Sequence, residues 1–157
     1  MGSASARLDV NVHQGPLDKR LVSELALEGD AGAVLTFAGV VRNLNLGRPV
    51  VALEYDCAPD LARRVLMSIA TEALDRWNLR LVSVHHGYGR VNVGEVGVLI
   101  AVGAARRNEA YEASRYLIEE VKRRAPVWKC EVYADGERAW LEGTPLPEAR
   151  GRGGSIA

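Results

Sequence analysis

Cysteine is scarce in this chain, phenylalanine occurs once and net charge is zero, and each shortage closes off a class of protein. The two cysteines, Cys57 and Cys130, stand far apart in no CxxC arrangement. That excludes a disulfide framework and reads as reduced thiols of a cytoplasmic protein. Twenty basic side chains balance twenty acidic ones, so bulk attraction to nucleic acid or to an anionic membrane is not expected. An RNA-binding module could lean on Lys122-Arg123-Arg124, but aromatics make up only 6% of the chain, too few for a stacking platform. No apolar run approaches the eighteen or so residues that a membrane span needs. The opening Met-Gly-Ser-Ala-Ser-Ala has neither the basic nor the apolar region of a signal peptide. The expectation is a cytoplasmic protein with no nucleic-acid or membrane partner.

What is present is a core. At 157 residues and 48% hydrophobic, the chain suffices for one domain and is too short for two. Leu8, Val10 and Val12 alternate with polar residues, the period of a half-buried strand. Leu17, Leu21, Val22 and Leu25 fall at helical spacing up to Gly29-Asp30. The uncharged run Gly32–Val41 suits a strand covered on both faces. Residues Arg42–Pro49 form a turn-rich loop and Val50–Tyr55 the returning strand. Pro59-Asp60 opens a second helix with Asp60 as its cap, and Leu61, Val65, Leu66, Ile69, Ala73 and Leu74 form its buried stripe. Strands follow at Leu79–Val84 and Val96–Val102, with Arg90–Glu95 as a connector. A third helix starts near Asn108 with Ala110, Ser114, Leu117, Ile118 and Val121 as its stripe. It must stop by Ala125, since the residue before a proline avoids the α region. Trp128–Tyr133 and Ala139–Leu141 make a last hairpin around Ala134-Asp135-Gly136.

The order β-α-β-β-α-β-β-α-β-β predicts an α/β (α+β) domain: two layers, a mixed and largely antiparallel sheet, and three main helices. The domain is expected over residues 7–142, between a disordered N-terminus at 1–6 and a flexible Gly/Pro/Arg tail at 143–157.

Cations gather at the ends of these elements. Arg42 follows one strand, Arg106 and Arg107 stand between another strand and the third helix, and Lys122 and Lys129 flank the Ala125-Pro126 break. Loops beyond strand ends commonly bind ligands, and helix N-termini attract anions. An arginine fork grips phosphate or carboxylate, while a lysine crowded by other cations loses proton affinity and becomes a nucleophile or proton donor. Converging, these five would form a pocket for an anionic substrate. Scattered, they are solvated faces and dipole-complementing helix ends. Composition leaves both readings open. Other candidates are weaker. His85-His86 lacks a third metal ligand at useful spacing. Cys130 beside Lys129 is either an activated thiol or a small core residue. Gly87-Tyr88-Gly89 fits no phosphate-loop pattern. Phe37 and Trp128 read as core or pocket wall.

Collinear motifs add a resemblance. Gly32–Asn43, Asn45-Leu46-Gly47 and Leu53-Glu54-Tyr55, then Trp77-Asn78-Leu79, His86, Val93-Gly94-Glu95, Arg107 with Ala110–Ala113, and Lys122-Arg-Arg-Ala-Pro-Val-Trp-Lys129 together resemble the large, catalytic subunit of molybdopterin synthase over about residues 7–142. The resemblance implies an α/β hammerhead-type fold. It also implies a sulfurtransferase that converts cyclic pyranopterin monophosphate into molybdopterin by forming its dithiolene. Sulfur would come from the C-terminal Gly-Gly thiocarboxylate of a small ubiquitin-like sulfur-carrier subunit. Two large subunits would form a homodimer within a heterotetramer. By the same resemblance Lys122 and Lys129 are the catalytic lysines, and Arg42, Arg106 and Arg107 line the substrate pocket. Val40, Val41, Cys130 and Glu131 supply neighbouring contacts, with no metal or cofactor called for. Two positions depart from the family pattern: Arg106-Arg107 stands where His-Arg is common, and His86-Gly87-Tyr88-Gly89 where His-Arg-x-Gly is. The alternative is a non-enzymatic phosphate- or pterin-binding protein on the same scaffold.

Overall fold

The computed structural model describes residues 5–23 and 29–141. Eight strands and three helices follow one another as β1 (Arg7–Gln14), α1 (Arg20–Ser23), β2 (Ala33–Val40), β3 (Leu44–Asn45), β4 (Arg48–Cys57), α2 (Pro59–Arg76), β5 (Leu79–Asn92), β6 (Val96–Ala104), α3 (Arg107–Arg124), β7 (Val127–Tyr133) and β8 (Arg138–Trp140). The strands form a mixed sheet in the order β2-β6-β5-β4-β7-β8. All of these neighbours are antiparallel; β1 alone pairs in parallel, along β5.

The expected class is therefore the observed one, and the differences lie in where elements begin. Leu17 is not helical; it bridges Val96 and is buried with Val22, Leu81, Leu99 and Ala101 against the sheet face turned away from α2 and α3. Leu25, expected on the same helix, falls outside the described residues, as does the segment from 142 onward. Asp60 is not the cap of α2. Ala58 holds that position without a side-chain hydrogen bond, Pro59 starts the helix, and Asp60 sits in the first turn, where its charge suits the helix dipole. Leu61 is exposed, while the small Ala62 and Ala70 are fully buried, so the buried stripe of α2 is rotated toward its alanines. These let the helix settle close to the sheet, where Leu66 and Ile69 fill the core beside Leu117, Val82, Val84, Ile100 and Val102. Truncating Leu66 there would cost roughly 2–5 kcal/mol.

Residues 90–92 are strand, not connector. β5 runs for 14 residues because it serves two partners on one edge: β1 through Tyr88, then β4 from Gly89 onward. The true turn is Val93-Gly94, with Gly94 at φ +85°, a conformation that favours glycine. Within the 42–49 loop, Leu46 and Gly47 both have positive φ and join the two-residue β3 to β4 in a tight hairpin. Every residue of β6 is buried, as its unbroken apolar run requires. α3 buries Ala110, Ala113, Ser114, Leu117 and Val121 and ends on Ala125, whose N–H still reaches Val121 O.

One clamp ties the two long helices together. Arg124 at the end of α3 grips both carboxylate oxygens of Glu72 on α2, at 2.5 and 2.8 Å, and Tyr116 donates to the same carboxylate at 2.7 Å. Arg124 is thus a structural residue, and it fixes the end of the helix that carries Lys122.

Candidate active site

The Ala125-Pro126 break turns the chain from α3 into β7 and leaves Lys122 on the helix and Lys129 on the strand. Both line one cleft, shared with Tyr55 and Val98. Its inner part is walled by His86, Ile118, Val121, Ala125 and Val127. Its outer part reaches Gly39, Val40, Val41 and Arg42 at the end of β2, and Leu53 and Glu131 on the β4–β7 ladder. β2 approaches this closely because Gly39 has no side chain: a Cβ there would lie 2.4 Å from Val98 Cγ1.

Three cations and few anions face this space. Lys122 loses proton affinity first through burial among the cleft walls, then through the positive charges of Lys129 and Arg42. His86 is almost fully buried, and that burial, reinforced by Lys122 and Lys129, pushes its pKa down to about 4. Its ring is neutral near pH 7, with Nδ1 donating to Gly87 O at 2.7 Å. Burial pushes the Tyr55 hydroxyl up to about 12, so it stays protonated, with its ring edge-on to His86 at 5.2 Å. Glu131 is the nearby anion, 4% exposed. Its Oε1 accepts from Asn45 Nδ2 at 2.8 Å, and its buried Oε2 has no hydrogen-bond partner among the described residues. The cleft can therefore bind an anion, move protons through a lysine of lowered affinity, and exclude water along its apolar inner wall.

The structure thus brings together Val40, Val41, Arg42, Lys122, Lys129 and Glu131. It separates the rest. Arg106 and Arg107 line a different depression, with Gly32, Asn108 and Tyr111, at the opposite end of α3. Sixteen helical residues set Arg106 about 24 Å from Lys122. Within one chain the five cations do not converge. Cys130 is buried beside the cleft, its thiol turned to Glu131 O, because alternation along β7 sends it to the face opposite Lys129. The same alternation corrects Trp128: it is 55% exposed, neither core nor cleft wall, whereas Phe37 does pack against the core. His85 and His86 part in the same way. His85 turns from the cleft, its Nε2 donating to Asp9 Oδ2 at 2.8 Å and its Nδ1 bonded to His13 at 2.8 Å. Among the described residues no cluster of three or more His, Cys, Asp or Glu is placed to hold a metal, and no helix is long and apolar enough to cross a membrane.

Residue chemistry alone did not mark Tyr55 and His86 as cleft walls. The signal for Tyr55 is the pairing of β4 with β7, which brings strands more than 70 residues apart side by side and cannot be read from local pattern.

A mixed α+β domain whose cleft brings two lysines together with an arginine is the kind of site that suits a small anionic ligand. The family model described as MoaE protein matches residues 12–124. The chain belongs to that family, with the catalytic subunits of molybdopterin synthase, enzymes of molybdenum-cofactor biosynthesis. The molybdopterin synthase catalytic subunit of Synechococcus elongatus is 39% identical over 145 residues, 92% of this chain and 88% of the relative. That of Nostoc sp. is 40% identical over 127 residues, 80% of this chain and 77% of the relative. Among solved structures, molybdopterin synthase from Staphylococcus aureus superposes with a TM-score of 0.79 at 30% identity, covering 85% of this chain and 96% of the other. The complex of subunits 1 and 2 of molybdopterin-converting factor from Helicobacter pylori gives a TM-score of 0.70 at 25% identity, covering 86% and 90%.

Proposed function

We propose that this chain is a sulfurtransferase that takes sulfur from the thiocarboxylated C-terminal glycine of a small ubiquitin-like subunit and builds the dithiolene of molybdopterin on cyclic pyranopterin monophosphate. The observation that carries this reading is the joint placement of Lys122, Lys129 and Arg42 on one cleft, with the proton affinity of Lys122 lowered by burial and by the other two cations. Arg42 and a charged lysine offset the substrate phosphate. The lysine of lowered affinity hands protons to and from the pterin as sulfur bonds to carbon. A partner as the source of sulfur is supported by Cys130, whose thiol is buried and faces away from the cleft. The free thiols Cys57 and Cys130 fit a reducing cytoplasm.

Arg106 and Arg107 serve substrate binding in this reading from a second copy of the chain. β2 is a sheet edge with no charged residue, and it carries exposed Val34 and Val40, an edge that proteins ordinarily cover. Ala33 pairs with Ala104, close to Arg106, while Val40 lies on the lysine cleft. Two copies related by a two-fold perpendicular to β2, their β2 edges side by side and antiparallel, would therefore set the arginine end of each beside the lysine cleft of the other. The test of the activity is reconstitution: the chain, a thiocarboxylated small subunit and the pyranopterin, assayed for dithiolene product. Product supports the transferase. Substrate bound without product supports instead a binding protein on the same scaffold.

A further inference from the structure

His86 sits where β5 passes between the core and the cleft, and each neighbouring element contributes a group to its surroundings. Val12 of β1 and Val98 of β6 stand opposite it in the sheet. Tyr55 of β4 meets its ring edge-on, and Lys122 of α3 and Lys129 of β7 share its cleft. A carbonyl oxygen only accepts, so the 2.7 Å contact to Gly87 O places the proton on Nδ1. Nε2 of the neutral ring is then a lone pair, with no partner among the described residues. The other polar side chains of this inner cleft are an ammonium pair, which only donates, and the Tyr55 hydroxyl. Lys122 likewise has no hydrogen-bond partner among the described residues. An uncharged acceptor can orient an ammonium without adding a negative charge that would repel an anionic substrate.

We propose that His86 is the positioning residue of the lysine pair: its Nε2, unpartnered among the described residues, is the acceptor that the Lys122 ammonium on the same cleft turns to when substrate fills it, and the bond then formed sets where that amine points. The inference rests on the transferase reading for its catalytic consequence but not for the bond itself. The lowered affinity of His86 agrees with it, since Lys122 exerts a larger electrostatic effect on the ring than Lys129 does. A neutral imidazole is what the role requires, and burial supplies it.

Two measurements test the bond and its consequence separately. Nitrogen NMR of the imidazole in the full chain, with the pyranopterin bound, should show Nε2 unprotonated at pH 7. Its resonance should move in Lys122→Met and stay in Lys129→Met; an Nε2 resonance indifferent to Lys122→Met overturns the proposal. In the reconstituted enzyme, His86→Phe keeps the ring packing on Tyr55 and removes the acceptor. It should lower kcat roughly 10²-fold, as a misplaced reacting group does, with KM nearly unchanged and the lysine limb of the pH profile displaced to lower pH. His86→Gln, whose amide oxygen reaches the Nε2 position, should restore most of the rate. A folded His86→Phe enzyme with normal kcat and pH profile overturns the positioning role. The spectroscopic result needs no sulfur transfer, so failure of the transferase reading and failure of this one are distinguishable.

Discussion

Tyr55 and Lys129 stand directly opposite each other across the antiparallel β4–β7 ladder, and both side chains face the same cleft. The relationship gives the lysine a rigid wall. Gly97 secures it from behind, since a Cβ there would lie 2.9 Å from the Tyr55 hydroxyl and 3.2 Å from the ring. Gly97→Ala should push Tyr55 into the cleft at a cost of about 1–3 kcal/mol. Thermal melts and the reconstitution assay should then show a loss of turnover larger than the modest fall in Tm.

Lys122 should report its neighbours directly. Its affinity for protons is lowered by burial, then by Lys129 and then by Arg42. Removing either charge, as in Lys129→Met or Arg42→Met, should raise the Lys122 pKa toward its ordinary value of 10.5. Carbon NMR of the lysine ε-position would follow the titration. An unchanged Lys122 pKa in both variants would mean that the cations do not share a cleft.

The separation of Arg107 from Lys122 by the length of α3 makes a complementation experiment decisive. In a mixed dimer of Lys122→Ala and Arg107→Ala chains, a site shared between copies leaves one intact site of two. Random mixing should therefore restore about a quarter of full activity from two inactive parents. No recovery, with mixed dimers shown to form, would confine Arg107 to its own chain's surface.

The Glu72–Arg124 clamp sets a pH-dependent term in stability. The hydrogen bonds from Arg124 and Tyr116 hold the Glu72 carboxyl at about 2, against an ordinary 4.5. A depressed acid stabilises the fold above its unfolded pKa and loses that contribution as pH falls, here between about 4.5 and 2. The pair is partly exposed, so Glu72→Gln should cost only about 1 kcal/mol at pH 7. Denaturant melts should show that difference vanish near pH 2.

How much of this was visible in the residues follows from how local each feature is. The stop at Ala125-Pro126, the buried run of β6 and the α3 stripe depend on near neighbours, and spacing alone places them. The 14-residue span of β5 depends on two partner strands, so its last turn looked like a connector. Leu17 carries helical spacing, yet its pairing with Val96 wins because it covers the second face of the sheet. At the site, collinear motifs marked both lysines and Arg42. They could not show that Arg106 and Arg107 lie at the far end of α3, because sequence order carries no distance across a helix. Nor did they show that Trp128 faces solvent, which only the direction of Lys129 decides.

The most direct test is dithiolene formation by Lys122→Ala and Lys129→Ala, each checked for a native fold, in the presence of thiocarboxylated partner and saturating pyranopterin. A two-lysine site predicts that each variant loses roughly 10²–10⁴-fold in turnover. Near-normal turnover in both, from folded protein, would contradict it.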